Sequence, residues 1–205
     1  MKNLEKIVSE IESELEGKDK VREAALKLSR TIVRLSGSAI RGLHTGEKPE
    51  KEFAELKGQL AKLSEILKQN PDVASTGYVE TAFQEYSEAE IVRSILEKGD
   101  VPSPADLGVS STGYLLGLGD SVGELRRFCL DELKTGRTDR ANYFLERMED
   151  IFVELMRFDL PDAIVPIRRK QDVARSLLEK TRGDVAVATS ARNLQDKLEE
   201  ALKRT

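Results

Sequence analysis

Residues 113–133 read GYLLGLGDSVGELRRFCLDEL, and the spacing of their apolar side chains decides the fold class. Leu115, Leu118, Val122, Leu125, Cys129 and Leu133 recur every three or four residues, which stacks them on one side of a helix. Asp120, Glu124, Arg127 and Asp131 fall on the opposite side. Gly113, Gly117 and Gly123 share that polar side, although glycine inside a helix costs about 1 kcal/mol relative to alanine. Glycines placed there predict that another backbone, or a ligand, comes close.

The same periodicity runs through the rest of the chain. Of its 205 residues, 34% are charged, only 5% are aromatic and none is Trp, a composition of helical bundles rather than of sandwiches or barrels. Helix-stopping residues cluster at Gly17, Gly46 to Pro49, Asn70 to Asp72, Gly99 to Ser110, Thr135 to Thr138, Asp159 to Pro161 and near Gly183. The expectation is an all-α bundle of about seven helices. Residues 1–205 are expected to form a single domain, with GDVPSPADLGVSS as its one long loop.

Composition also excludes several classes. The single cysteine, Cys129, rules out an internal disulfide and a Cys-based zinc site, and it sits in the apolar stripe as a core residue. Residues 1–16 mix charge with hydrophobicity, so they predict an amphipathic helix rather than a signal peptide. No apolar run approaches membrane-spanning length, and the expected location is the cytoplasm. A net charge of −4 argues against unselective binding of polyanions, while leaving local basic patches open.

Two acidic pairs stand out. Glu85 and Glu88, in AFQEYSEAEIV, are three residues apart, and Asp120 and Glu124 are four apart; both spacings bring carboxylates together on a helix face. On the fourth helix the face of Glu85 and Glu88 also carries Tyr78, Ala82, Ala89, Val92 and Leu96. These two acids therefore lie in an apolar stripe, while Glu80, Ser87 and Glu90 read as solvated, with Phe83 blurring that side. A carboxylate directed at a core costs several kcal/mol unless it is paired, protonated or metal-bound. Four oxygen donors on two helices suit Mg²⁺, or Mn²⁺, better than zinc or copper. Ordinary ion pairs with arginines of neighbouring helices explain the spacing equally well.

Other site chemistries fail on residue inventory. A ferritin-like di-iron centre needs two Glu-x-x-His elements, and the only histidine is His44. Nucleophilic triads lack a suitable histidine, and no Walker or dinucleotide glycine motif is present. Helical nucleotide pyrophosphohydrolases, which also pair Glu-x-x-Glu with an acidic partner helix, remain a competing reading.

A basic stripe lies in KLSRTIVRLSGSAIRGLH, where Lys27, Arg30, Arg34, Gly37, Ser38, Arg41 and His44 occupy one sector of the predicted second helix. From Arg30 to His44 it spans roughly 20 Å at about 1.5 Å per residue, enough to follow several phosphates. A solvated face paired with glutamates is the bland alternative. Arg127 shares the face of Asp120 and Glu124, as a salt-bridge partner or a phosphate clamp. Arg168, Arg169 and Lys170 form a further cluster that reads as surface or interface.

The segments FQEYSEAEIV, GYLLGLGDSVGELRRFCLDEL and IRGLHTGE together resemble the translin family. The most specific element is Tyr114-Leu115-Leu116-Gly117 followed by Asp120 and Gly123-Glu124-Leu125. The resemblance implies an all-α fold of about seven helices, homo-oligomeric assembly into closed, octamer-like shells, and binding of single-stranded RNA or DNA. Part of that family chiefly binds nucleic acid and lacks an equivalent of Asp120; the catalytic part acts as Mg²⁺-dependent endoribonucleases. Carried over, the catalytic and metal-binding acids are Glu85, Glu88, Asp120 and Glu124. The chain lacks the basic nuclear-targeting segment of the animal proteins, in line with a cytoplasmic location. The non-enzymatic alternative is a single-stranded nucleic-acid-binding scaffold.

Overall fold

A computed structural model of the protein describes residues 2–203, and every regular element in it is helical. The elements are α1 (Lys2–His44), α2 (Glu50–Gln69), α3 (Pro71–Ala74), α4 (Gly77–Leu96), α5 (Pro104–Leu107), α6 (Ser111–Lys134), α7 (Thr138–Leu155) and α8 (Arg168–Lys203). The all-α expectation holds. Six of these are long, and two are four-residue pieces inserted in connections that the sequence marks only as breaks.

Two of the expected breaks are absent. Helix α1 runs through Gly17 and α8 through Gly183, so the predicted first and second helices are one rod of 43 residues, about 65 Å long. A lone glycine costs only about 1 kcal/mol in a helix, and at Gly17 strong helix formers such as Leu15, Glu16 and Lys18 flank it. The i,i+4 pair Glu14–Lys18 bridges Gly17 at 2.7 Å, and Arg182 and Asp184, beside Gly183, are tied to Glu149 and Arg126 at 2.7 and 2.9 Å. By contrast, the breaks at Gly46 and Gly136 are real because both glycines adopt a left-handed φ. The long loop carries α5, which Ser103 and Asp106 close with a reciprocal capping box and which Gly108 ends at φ 68°. The Ser103 hydroxyl and the Ser103 backbone N–H both donate to the Asp106 carboxylate and hold it below its usual range.

Packing divides the described residues into two compact units. The first comprises the residues up to Ala89 together with Ser103–Gly113. In it α1 packs along α2, and Ile32, Leu35, Phe53, Leu56 and Leu63 are buried. The second comprises Glu90–Pro102 and the residues from Tyr114 onward. Here α7 packs along α8, and Leu125, Phe144, Met148, Leu155 and Leu178 form the core, with the Phe128 and Phe144 rings 5.7 Å apart. Cys129 is fully buried in this unit and its thiol, within contact of the Ala141 carbonyl, is pushed up to about 11 by desolvation. The expectation of a core cysteine is met.

Of the amphipathic helix expected over residues 1–16, the part from Lys2 onward forms the start of α1, with Leu4, Ile7, Val8, Ile11 and Leu15 all exposed; residue 1 lies outside the described residues. Among the described residues, no helix is long and apolar enough to cross a membrane.

Candidate functional site

Helix α4 supplies the first acidic pair. Glu88 is buried at 8% exposure and Glu85 is half-buried, so the reading that both turn away from free solvent holds. The expectation that Ser87 and Glu90 are solvated does not hold: Ser87 is fully buried and donates to the Phe83 carbonyl, and Glu90 is 2% exposed. Residues 86–92 are buried all round, because α4 is covered on both faces and has no solvent side at this level. Arg93, one turn further on, compensates the Glu90 charge at 2.5 Å. Glu80 is half-buried and accepts a 2.6 Å hydrogen bond from Ser110. Ser110 in turn accepts the Gly113 N–H at 2.9 Å, which caps the start of α6.

Helix α6 supplies the second pair, Asp120 and Glu124, both half-buried. Glu124 is bound by Arg127 on the next turn at 3.0 Å. Asp120 is bound by Lys170, fifty positions away, at 2.5 Å, with both side chains about a quarter exposed. The polar face of α6 is thus half-buried and paired at Asp120 and Glu124, and open at Arg127 and Asp131. Its glycines explain part of this. A Cβ on Gly113 would stand 2.6 Å from the Phe83 Cβ and 3.3 Å from the Gln84 backbone nitrogen, so the expected close approach is real there. At Gly123 the nearest neighbour is an ordinary contact at 3.8 Å. The other tight crossing is at Gly119, where a Cβ would stand 2.8 Å from the Cβ of Lys170.

Lys170 is the residue that sequence reasoning missed. Its run with Arg168 and Arg169 reads as surface or interface, yet its stem crosses Gly119 and its ammonium reaches Asp120. One signal was available. Three consecutive cations open α8, at the helix end where the macrodipole disfavours positive charge, and such a placement asks for an anion nearby.

Arg30, Arg34 and Arg41 project from the second half of α1 and are exposed, whereas His44 at its end is half-buried. Lys27, Arg30 and Arg34 line a shallow surface groove together with Glu23, Leu26 and Thr31. Exposure of Lys27, Arg30, Arg34 and Arg41 is what both the phosphate-tracking and the solvated-face readings of the stripe expect. Arg127 is exposed and engaged with Glu124.

Carboxylate oxygens are the donors that a hard divalent cation requires, and each pair offers two carboxylates on one helix face. Among the described residues, no group of three or more His, Cys, Asp or Glu side chains stands together as a metal cage. Asp120 and Glu124 are instead charge-balanced by Lys170 and Arg127.

Comparisons with known proteins agree with this frame. The translin family profile matches residues 20–183, spanning parts of both units. An uncharacterised protein of Methanocaldococcus jannaschii is 38% identical over 195 residues, covering 93% of this chain and 84% of its own length. Among solved structures, AfC3PO in complex with duplex RNA superposes with a TM-score of 0.82 at 32% identity, covering 90% of this chain and 97% of its own. AfC3PO by itself gives 0.79 at 34% identity, over 90% and 98%, and apo-NeC3PO gives 0.71 at 26%, over 92% and 98%. The matched region contains both acidic pairs and the basic stripe of α1, and the chain belongs to the translin family.

Proposed function

We propose that the protein is a Mg²⁺-dependent endoribonuclease that cuts single-stranded RNA, with Glu85, Glu88, Asp120 and Glu124 as its catalytic and metal-binding acids. The observation that carries this reading is the second pair: Asp120 and Glu124 are half-buried, share one face of α6 and sit inside the most specific family motif. Membership of the translin family and the RNA-bound relative support RNA as the ligand. A divalent cation, were it held by these acids, would supply acidity to a bound water and stabilise charge developing on phosphate oxygens. The chain's own part is to orient the acids. Ser110 fixes the start of α6 through the Gly113 N–H, and the close packing of Phe83 on Gly113 sets how α6 begins. Arg30, Arg34, Arg41 and His44 hold the phosphate backbone of the strand, with Arg127 available beside Glu124. Copies of the chain assemble into a closed, octamer-like shell, as the family resemblance implies.

A second reading, a translin-type scaffold that binds RNA or single-stranded DNA without cutting it, is favoured by the ion pairs that already balance Asp120 and Glu124. One panel separates the two. Single-stranded RNA, duplex RNA, single-stranded DNA and free nucleotides are incubated with wild type, Glu85→Ala and Asp120→Ala, in Mg²⁺ and in EDTA. The nuclease reading expects cleavage of single-stranded RNA by wild type in Mg²⁺ alone and at least a hundredfold loss in each variant. Cleavage retained in either variant overturns the assignment of the acids. Binding without product in every lane establishes the scaffold, and pyrophosphate released from nucleotides establishes a pyrophosphohydrolase.

A further inference from the structure

Two apolar surfaces lie open, one in each compact unit. In the first unit, Leu4, Ile7, Val8, Ile11 and Leu15 form a continuous stripe on the start of α1, and all five are exposed. At about 1.5 Å per residue the stripe is about 17 Å long. In the second unit, α6 and α8 frame a groove lined by Leu130, Leu133, Gly183, Val187 and Ala188. Leu194 and Leu198, both exposed, continue its apolar line along α8, so the run from Val187 to Leu198 also covers about 17 Å. Contiguous exposed apolar surface of this kind marks an interaction site, whereas single exposed residues do not. Gly183 adds a separate sign. Glycine inside a helix costs about 1 kcal/mol relative to alanine, yet among the described residues no heavy atom lies within 4 Å of where its Cβ would stand. No described neighbour requires a glycine there, whereas a helix laid into the groove from outside gains a closer approach.

Charge selects the occupant. With Leu4, Val8, Ile11 and Leu15 as its seam, the α1 stripe carries Glu5, Glu12 and Glu14 at the flanking heptad positions, the last of them shared with Lys18 at 2.7 Å. With Val187, Ala191, Leu194 and Leu198 as its seam, α8 carries Ala188, Ser190, Gln195 and Lys197 there, and no acid. Asp184, the acid at the groove, is already engaged by Arg126 at 2.9 Å. Two α1 starts laid together oppose acid to acid, while the α8 face offers the same length of apolar seam with a lysine and neutral residues beside it. We infer that the start of α1 of one copy docks along the α8 face, between α6 and the Leu198 end, of a second copy of this chain. The inference rests on the reading above that copies of the chain assemble, and it assigns the surfaces that meet. Because those surfaces differ, each contact leaves one of each kind free, and copies add head to tail.

The test is complementation between two full-length variants, read as mass by size-exclusion chromatography with light scattering. One carries Val8→Asp with Ile11→Asp, the other Leu194→Asp with Leu198→Asp; all four positions are exposed, so the cores of both units are untouched. Wild type is expected to run above the 22.9 kDa of a single chain, and each variant below wild type. An equimolar mixture joins the intact α1 of one variant to the intact α8 of the other, and is expected to contain a species heavier than either variant alone, with both present in equal amounts. Variants that keep the wild-type mass overturn the docking surfaces and leave assembly standing. Variants of lowered mass whose mixture is no heavier overturn the pairing of α1 with α8, since each stripe then meets its own kind or a different protein. Wild type running as a single chain overturns assembly and contact together. Should an aspartate variant lose helical content by circular dichroism, Glu5→Lys with Glu12→Lys takes its place, because it leaves every apolar side chain intact. It is expected to self-associate about two- to fivefold more weakly, the range of exposed charge pairs, and unchanged association then overturns the contact.

Discussion

Replacing Gly113 by alanine tests the packing that fixes the start of α6. The added methyl would stand 2.6 Å from the Phe83 Cβ, 3.1 Å from the Ser110 Oγ and 3.3 Å from the Gln84 backbone nitrogen. Two of these neighbours are a backbone atom and a Cβ, which cannot rotate away, so the helices must shift. Overpacking of this kind costs about 1–3 kcal/mol, against which better helix propensity returns about 1 kcal/mol. The net expectation is a loss of up to about 2 kcal/mol, or up to roughly 4–8 °C in Tm for a chain of this size. Gly123→Ala is the internal control. Its new methyl meets only Leu177 at an ordinary 3.8 Å, so propensity acts with little opposition and stability rises by up to about 1 kcal/mol. The assay is urea unfolding followed by circular dichroism, with calorimetry for Tm. Gly113→Ala as stable as wild type, or both variants moving in the same direction, would refute the argument that close approach rather than chance placed glycine at 113.

Three further outcomes follow from the same geometry. Ser110→Ala removes both the cap of the Gly113 N–H and the donor to Glu80, and is expected to cost about 1 kcal/mol by urea unfolding. Replacing Arg30, Arg34 and Arg41 together by glutamine should weaken RNA binding and flatten the slope of log affinity against log salt by about 2, at roughly 0.7 per lost single-strand phosphate contact; an unchanged slope removes the stripe from the interface. The Cys129 thiol, pushed up to about 11 from an ordinary 9.0, should resist alkylation in the native state at neutral pH and react once the chain is unfolded. Because the unfolded thiol ionises first, its contribution to stability is intact below about pH 9 and falls as pH rises toward 11. Urea midpoints of wild type and Cys129→Ala compared across that range would show it.

The sequence by itself determined the helical class, the two acidic pairs and the basic stripe, because each depends on spacing along one helix, and a helix converts spacing into a face without help from the rest of the chain. Periodicity also placed Cys129 in the core and put Glu85 and Glu88 out of free solvent. It failed where a property belongs to more than one element. Glu90 and Ser87 lie on what looks like a polar face of α4, but burial there depends on what covers the helix, and α4 is covered all round. Gly17 and Gly183 look like breaks, yet one unfavourable residue is outweighed by its helical neighbours and the ion pairs beside it. Gly113 and Gly119 carry the same residue type as Gly123, and their close crossings are told apart from the ordinary 3.8 Å contact at Gly123 by the packing alone. The pairing of Lys170 with Asp120 joins residues fifty positions apart, so no local pattern encodes it. It arises from the crossing of α8 over Gly119, and that crossing is what determines which charge the acid meets.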